Sequence, residues 1–508
     1  MIRRRQFVLS GLLGIAARSS HALRSESPIV ATRSGLVRGR LINDLLVFTG
    51  IPFAKPPIGE LRFAAPRPAE AWPGVLDASR PAATPAQNTD SALPPVAPIS
   101  EDCLQLNVWA PAGGGPHPVL VWIFGGGNQT GASNQPTYQG DTFARDGVVF
   151  VSLNYRVGVL GYLELGRTLG PQAAGSGNNA LRDQLLALEW VRDNIAAFGG
   201  DPRNVTLAGQ SAGAWGVATL MGLPAADELF QRAIVASGNA AATYTPERAS
   251  DFAEVFIKHL SGASRLRTAS VSELLSAQQL AQSEFPDLIP FRPVVDGSFL
   301  PATPLERFRA GVASKVSTLL GHTHDEYRYL RSAAQLGGPI QRNMLVTTDP
   351  DALTPIVSAY RAAFPRLTEG ERQLKILSAE VFTIPALRIA EALCAHGGTA
   401  YFYDVSYPIA KGPFGLTSPH GIDVPLIFDK LDTMFATKVF GYTPQDAPMA
   451  KRVHAAWVSF VKYGTPRIPQ LSWPAYELQH RPTMVLANPP SVVDDTDGVE
   501  RRIWQGML

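Results

Sequence analysis

The chain has 508 residues, of which 45% are hydrophobic and 17% are charged, so it can bury a large core. Lysine and arginine together number 45 and aspartate and glutamate 43, which gives a formal charge of +2. This near balance argues against nucleic acid or an acidic membrane as the partner. Two cysteines, Cys103 and Cys394, are too few for a disulfide framework or a cysteine-rich metal site, and whether they pair stays open.

Residues 1–22 have the three parts of an export signal. Arg3 to Arg5 form a charged end, an apolar stretch runs from Phe7 to Ala17, and Ser20-His21-Ala22 fits a small-x-small cleavage site. The adjacent arginines favour the twin-arginine type of bacterial signal over general secretion. The apolar stretch is too short to span a bilayer. We therefore expect an exported protein, periplasmic or extracellular, with one domain over residues 23–508 and no stable membrane insertion.

The chain after the signal alternates predicted strands and helices. Short strands are expected at 29–40 and 45–48, an ordered proline-rich loop at 49–63, and an exposed loop at 81–99. Apolar runs predict further strands at 102–110, 118–124, 148–154, 205–208, 231–237, 314–321 and 400–405. Helices are predicted at 181–198 and 212–221, with mainly helical caps at 246–288 and 331–392. This order predicts an α/β fold with a large, mostly parallel sheet flanked by helices.

The motif Gly-x-Ser-x-Gly occupies residues 209–213, between a predicted strand and a predicted helix. On such a turn Ser211 would project from the sheet as a nucleophile, and the Ala212 amide would face a developing oxyanion. Glycines two residues before and after the serine allow close approach of neighbouring elements. An ordinary strand-to-helix turn is the alternative.

A serine hydroxyl needs a histidine base and a carboxylate that orients it, in the chain order nucleophile, acid, base for this type of fold. His420 is favoured as the base because it lies in a Pro/Gly loop that an apolar segment anchors. His396 is a competitor, whereas the spacing of His454 is typical of a structural helix residue. Asp325 and Glu326 follow a predicted buried strand, and the residues alone do not choose between these two acids.

Three glycines at 125–127 follow an earlier predicted strand and can present bare backbone amides. Gly126 and Gly127 are therefore expected to complete an oxyanion hole with Ala212. A phosphate-binding loop is the rival interpretation, but it requires a lysine followed by serine or threonine, which this segment lacks. The chemistry so assembled requires neither a metal nor an organic cofactor.

Several motifs follow one another in a characteristic order between residues 29 and 476. They are Gly50-Ile51-Pro52-Phe53-Ala54, Glu101-Asp102-Cys103-Leu104-Gln105-Leu106-Asn107-Val108, Asn154-Tyr155-Arg156-Val157-Gly158, Asp183-Gln184, Phe198-Gly199-Gly200-Asp201-Pro202, Gly209 to Gly213, Pro293-Val294-Val295-Asp296-Gly297, His420-Gly421 and Trp473-Pro474-Ala475-Tyr476. In these motifs the chain resembles the type-B carboxylesterase and lipase family of α/β-hydrolases. That family includes cholinesterases, bacterial nitrobenzyl esterases and fungal lipases.

The resemblance implies an α/β-hydrolase fold with helical caps over the active site. It selects Glu326 as the acid and His420 as the base, and it implies that Ser237 is a buried serine beside the triad. It also implies two structural ion pairs, Arg62 with Glu101 and Arg156 with Asp183. The implied activity is that of a serine carboxylesterase acting through an acyl-enzyme. Lipase, amidase and carbamate hydrolase activities use the same triad, and a non-catalytic adhesion protein is a remote alternative.

Some residues depart from the family pattern. Gln210 stands where cholinesterases carry a glutamate, and the stretch 81–99 lacks the tryptophan on which choline stacks. We therefore expect a small, neutral ester as the substrate, because a cationic alcohol would lack charge and cation–π support. Asn128 replaces a common aromatic residue and Asp423 a common glutamate, which leaves the pocket shape open.

Overall fold

The computed structural model describes residues 27–89, 94–287, 289–329, 353–409 and 412–507. The predicted export signal at 1–22 and part of the predicted cap at 331–392 lie outside these residues. Among the residues described, every helix is too short or too polar to cross a bilayer. Both cysteines are free, and the Cys394 thiol donates to the Tyr476 carbonyl at 3.2 Å.

The strands lie in three sheets. Their bounds are β1 Ile29–Thr32, β2 Gly35–Arg38, β3 Arg40–Ile42, β4 Leu45–Pro52, β5 Val75–Asp77, β6 Thr84–Pro85, β7 Ile99–Ser100, β8 Gln105–Pro111, β9 His117–Ile123, β10 Val149–Leu153, β11 Gly200–Gln210, β12 Arg232–Ala236, β13 Ser317–Thr323, β14 Ala400–Val405, β15 Pro482–Val485 and β16 Ser491–Asp494. The central sheet has 11 strands in the order β16-β15-β14-β13-β12-β11-β9-β10-β8-β4-β3. Its pairings are parallel from β10 through β15 and antiparallel towards both edges. This arrangement confirms the predicted α/β fold with a large, mostly parallel sheet.

Helices cover both faces of the central sheet. Their bounds are α1 Asp141–Arg145, α2 Val159–Tyr162, α3 Gly166–Leu169, α4 Asn179–Asn194, α5 Ala212–Met221, α6 Pro246–His259, α7 Val271–Glu284, α8 Pro304–Arg309, α9 Leu353–Ala363, α10 Glu369–Ser378, α11 Ile384–Ala395, α12 Asp423–Ile427, α13 Ala447–Tyr463 and α14 Gly498–Ile503. Strand β9 divides the core: Val119, Val121 and Ile123 join the cluster of α4 and α5, and Leu120 and Trp122 join that of α12 and α13. Burial on both faces explains why these strands read as continuous apolar runs.

Two predicted loops differ from the structure. Strand β4 continues to Pro52, with a register shift between Phe48 and Ile51, so the loop predicted at 49–63 begins later. Proline is tolerated there because it ends the strand. The stretch predicted as an exposed loop at 81–99 is mostly buried over residues 82–87.

The buried part of this stretch is stabilised by polar side chains from elsewhere in the chain. Asn134 and Asn154 donate to the carbonyls of Ala82 and Ala83, and Gln105 accepts from the Ala83 amide at 3.1 Å. Since these backbone groups of Ala82 and Ala83 are paired, this part of the loop can be buried without leaving them unsatisfied.

Candidate active site

Ser211 lies on the sharp turn between β11 and α5. Its backbone angles are φ 59° and ψ −130°, a region that residues with a side chain rarely adopt. Such strain costs on the order of 1–3 kcal/mol and persists only where the surroundings fix it. Here the Ser211 amide donates to the Ala236 carbonyl of β12 at 2.9 Å, which ties the turn to the neighbouring strand.

The two glycines of the motif lie where a side chain would not fit. A Cβ atom at Gly209 would stand 2.5 Å from the Gly213 carbonyl carbon, and one at Gly213 would stand 2.2 Å from the Ile123 oxygen. The helix therefore starts directly against the ends of β9 and β11. This close contact fixes the direction in which Ser211 leaves the sheet.

The structure brings Ser211, His420 and Glu326 into one hydrogen-bonded row. Ser211 Oγ lies 2.7 Å from His420 Nε2, and His420 Nδ1 lies 2.5 Å from Glu326 Oε2. The three side chains come from residues 211, 326 and 420, far apart in the chain. In this arrangement Nδ1–H donates to the carboxylate, which leaves Nε2 able to accept the serine proton.

Glu326 is fully buried and well supplied with donors. Its Oε1 accepts from Ser237 Oγ at 2.6 Å and from the Thr323 amide at 2.8 Å. Burial is the strongest influence and raises the pKa of Glu326, but His420 and these hydrogen bonds together outweigh it. The pKa of Glu326 is therefore lowered, and the group is a carboxylate at neutral pH.

Asp325, the other acid that the sequence left open, lies away from the imidazole. Its Oδ2 accepts from the Ser418 amide at 2.8 Å, and its own amide donates to the Ser418 carbonyl at 2.9 Å. The His420 amide donates to the Glu326 carbonyl at 3.1 Å. Asp325 thus ties the loop of the histidine to the segment of the acid.

The competing histidines are engaged elsewhere. His396 Nε2 donates to the Arg309 carbonyl at 2.8 Å, and His454 Nδ1 donates to the Ile427 carbonyl at 2.7 Å. His454 is buried within α13, as its helical spacing predicts. Neither imidazole is placed next to Ser211.

Gly126, Gly127 and Ala212 all line the cavity in which Ser211 lies. Gly126 has φ 127° and Gly127 has φ 62°, which favour glycine. A Cβ atom at Gly126 would stand 2.2 Å from the Thr130 oxygen. The Gly126 carbonyl also accepts from the amides of Gln129 and Thr130, both at 3.1 Å, so the turn is tight.

The cavity has a volume of about 420 Å³. Its polar lining residues include Thr84, Gln87, Thr89, Gln129, Thr130, Gln135 and Gln210. Its aromatic lining residues are Tyr138, Trp215, Tyr327, Tyr329, Phe382 and Phe435. Within the described ranges, the lining includes no aspartate, glutamate, lysine or arginine. The cavity therefore contains aromatic rings although the stretch 81–99 has no tryptophan. This corrects the expectation that a cationic substrate would find no aromatic face for a cation–π interaction.

Two side chains contact the His420 ring in ways that the sequence did not predict. Phe382 was not identified at all, and Gln210 was singled out without a predicted partner. The ring of Phe382 lies 4.5 Å from that of His420, with an angle of 30° between the planes. Phe382 belongs to a π-helical turn, Ala379–Thr383, inside a region of ordinary helical composition, so no local signal marks it. Gln210 Nε2 lies 3.3 Å from His420 Nε2, which places this residue at the triad.

Other residues singled out in the sequence have structural partners. Asn128 does not line the cavity: its side chain donates to the Phe291 carbonyl and accepts from the Tyr162 hydroxyl, both at 2.9 Å. The two implied ion pairs are present. Arg62 contacts Glu101 at 2.6 Å and Arg156 contacts Asp183 at 2.7 Å.

Comparisons with known proteins show the family to which the chain belongs. A family model described as "Carboxylesterase family" matches residues 26–504. The chain is 34% identical over 489 residues to the para-nitrobenzyl esterase of Bacillus subtilis (strain 168), which covers 93% of this chain and 98% of that protein. It is 34% identical to the phenmedipham hydrolase of Pseudarthrobacter oxydans, with 91% and 95% covered.

A solved structure shows the same likeness. The structure of a carboxylesterase from Geobacillus stearothermophilus has a TM-score of 0.80 and 34% identity, and the match covers 94% of this chain and 100% of that one. The structural comparison and the sequence comparisons thus indicate the same family over nearly the whole chain. The chain therefore belongs to the carboxylesterase family and is a carboxylic-ester hydrolase.

Proposed function

We propose that the protein hydrolyses small, neutral carboxylic esters through an acyl-enzyme, with Ser211 as the nucleophile, His420 as the base and Glu326 as the acid. One observation supports this assignment above all. A continuous row of hydrogen bonds joins Ser211 Oγ, both ring nitrogens of His420 and the buried Glu326 carboxylate. Each group has the partner that its role requires.

In the first half of the reaction, Ser211 Oγ attacks the ester carbonyl carbon as its proton passes to His420 Nε2. Glu326 holds Nδ1–H and stabilises the imidazolium. The carbonyl oxygen, now an anion, accepts hydrogen bonds from the amides of Gly126, Gly127 and Ala212. As the bond to the alcohol oxygen breaks, His420 returns the proton to that oxygen and the alcohol leaves.

In the second half, a water molecule attacks the acyl carbon of the Ser211 ester. His420 takes a proton from this water, and the same three amides bind the second oxyanion. The bond to Ser211 Oγ then breaks, and His420 returns the proton to Oγ. The carboxylic acid leaves, and the enzyme is restored without a cofactor in the steps described.

The oxyanion assignment predicts that Gly126→Ala lowers kcat about 10²- to 10³-fold, because one preorganised amide donor is displaced. The added methyl group would collide with the Thr130 carbonyl. Initial rates with a short p-nitrophenyl ester measure the change. Gly74→Ala is the matched control, since Gly74 also has a positive φ, 71°, but open space around it. Equal, small losses in both variants would contradict the assignment.

A neutral substrate is supported by a cavity wall whose described residues carry no carboxylate. A buried ammonium group would have aromatic faces but no counter-charge on this wall. We expect kcat/KM for 3,3-dimethylbutyl butyrate to exceed that for its cationic isostere, butyrylcholine, by about tenfold or more, equivalent to about 1.4 kcal/mol. Gln210→Glu places a carboxylate beside His420, so it should reduce the ratio of kcat/KM for the neutral ester to kcat/KM for butyrylcholine. A preference of the unaltered enzyme for butyrylcholine would overturn the neutral-substrate proposal.

A further inference from the structure

Gln129 lies in the glycine-rich turn after β9 and lines the cavity that contains Ser211. Its backbone amide donates to the Gly126 carbonyl at 3.1 Å. Its side chain turns back towards Gly127, since a Cβ atom placed at Gly127 would stand 3.5 Å from Gln129 Nε2. The side-chain amide of Gln129 therefore lies beside one of the backbone amides that are assigned to the oxyanion hole.

A helix that supplies no member of the triad holds the Gln129 side chain. Gln282 Nε2, in α7, donates to Gln129 Oε1 at 2.7 Å. Gln278 lies one helical turn earlier on the same face of α7, and its Oε1 accepts from the Val159 amide at 3.0 Å. Because Gln278 is buried and ties α7 to the start of α2, it fixes the place from which Gln282 donates. The oxygen of the Gln129 side chain is thus directed towards α7.

The other end of the same amide is available to a bound molecule. Among the residues that the structure describes, Gln129 Nε2 has no hydrogen-bond partner. Gln87, another glutamine of the cavity lining, differs in this respect. Its Nε2 donates to the Gly131 carbonyl at 2.7 Å, and its Oε1 accepts from the Gly131 amide at 2.8 Å. Gln129 therefore presents an oriented NH₂ donor where Gln87 has both ends engaged.

A hydrocarbon chain bound against Gln129 would remove this donor from water without giving it a partner. An unpaired polar group costs free energy, so a site that contains one discriminates against substrates that lack the matching acceptor. An ether or carbonyl oxygen accepts from an NH₂ group and adds no charge to the substrate. Such an oxygen therefore suits a cavity whose described lining includes no aspartate, glutamate, lysine or arginine.

We infer that Gln129 is a specificity-determining residue that donates through Nε2 to an ether or carbonyl oxygen of the substrate. The substrate class is then a neutral ester whose acyl or alcohol chain carries such an oxygen close to the scissile carbonyl. The inference rests on the proposed function, because that function places the scissile carbonyl against the Gly127 amide. Gln282 is a positioning residue, which keeps the NH₂ group of Gln129 directed into the cavity.

The first test compares esters in which an ether oxygen replaces a methylene group. On the acyl side, p-nitrophenyl methoxyacetate is paired with p-nitrophenyl butyrate. On the alcohol side, 2-methoxyethyl butyrate is paired with n-butyl butyrate. For each pair the quotient is kcat/KM for the ether ester divided by kcat/KM for the hydrocarbon ester. Gln129→Met has a similar length but no donor, so it should lower this quotient about threefold to tenfold in at least one pair.

Comparing the quotient between enzyme forms cancels the intrinsic reactivity of the esters, and the pair that responds shows which side of the ester meets Gln129. Gln282→Met should lower the quotient by a smaller factor, because Gln129 keeps its donor but loses its orientation. Gln279→Met is the matched control, since Gln279 is exposed on the same helix, and it should leave the quotient unchanged. If Gln129→Met slows both esters of each pair equally, its role is merely structural and the inference is overturned.

The second test measures binding without turnover. In Ser211→Ala protein, calorimetry gives the ratio of Kd values for the pair of esters that responds in the first test. Adding Gln129→Met should shift this ratio about threefold to tenfold against the ether ester, and an unchanged ratio would overturn the inference. The proposed function fails separately, if Ser211→Ala still hydrolyses p-nitrophenyl butyrate. An unchanged quotient in an enzyme that requires Ser211 overturns only the inference about Gln129.

Discussion

Replacing Ser211 with alanine should lower kcat for a short p-nitrophenyl ester by roughly 10⁵- to 10⁶-fold, because the proposed mechanism needs the Ser211 hydroxyl to form the acyl-enzyme. The hydroxyl lies 2.7 Å from His420 Nε2, and its removal leaves the base without a partner to deprotonate. The variant should also fail to react with a phosphonate probe that labels the unaltered protein. Burst kinetics and mass spectrometry of the labelled protein measure both effects.

The fold of this variant should be unchanged, since alanine keeps the backbone of the turn and the bond from residue 211 to the Ala236 carbonyl. Its thermal unfolding midpoint should therefore stay within a few degrees of the original. Ser358→Ala is a suitable control because Ser358 is an exposed serine of α9. Retained hydrolysis in Ser211→Ala, or probe labelling at another serine, would contradict the nucleophile assignment.

Replacing Glu326 with glutamine should lower kcat about 10⁴-fold. The amide would present its NH₂ group to His420 Nδ1 or leave that nitrogen unpaired, which favours the tautomer with hydrogen on Nε2. In that tautomer Nε2 cannot accept the proton of Ser211. The variant also loses the negative charge that stabilises the imidazolium. Steady-state rates against pH, with circular dichroism to check folding, measure the effect.

Asp325→Asn is the matched comparison for this variant. The two acids are neighbours in the chain, but Asp325 bonds to Ser418, and an asparagine oxygen can still accept from that amide. We expect a loss of less than about tenfold, because only the loop of the histidine is loosened. If Asp325→Asn lost as much activity as Glu326→Gln, the choice between the acids would be wrong.

The parts of the site fixed by local sequence were predictable. A short segment with apolar residues and two glycines predicts the strand that ends at Gln210, the turn at Ser211 and the helix that begins at Ala212. The choice between Asp325 and Glu326 was different, since both follow β13. Only the position of a loop about 90 residues further along the chain separates them. The family resemblance supplied the choice that the residues alone did not.

Burial was harder to predict than strand order. The composition of residues 81–99 as a whole is that of an exposed loop. The burial of residues 82–87 depends on Gln105, Asn134 and Asn154, which lie outside the segment. The same holds for Asp423, whose sequence position shows only that it follows a histidine loop. The structure buries its side chain, and among the described residues neither carboxyl oxygen has a hydrogen-bond partner. A prediction from local composition does not include contacts with residues that are distant in the chain.

The π-helical turn at Ala379–Thr383 is a place where the chain can lose a residue without moving the helices on either side. Its hydrogen bonds join residue i to residue i+5, so the turn holds one residue more than an α-helical turn. Removing one residue from an ordinary α-helix would rotate the remainder by about 100°. Removing one residue from this turn would instead restore α-helical hydrogen bonding, and α10 and α11 would keep their places. The change would fall on the turn itself, which carries Phe382 beside His420.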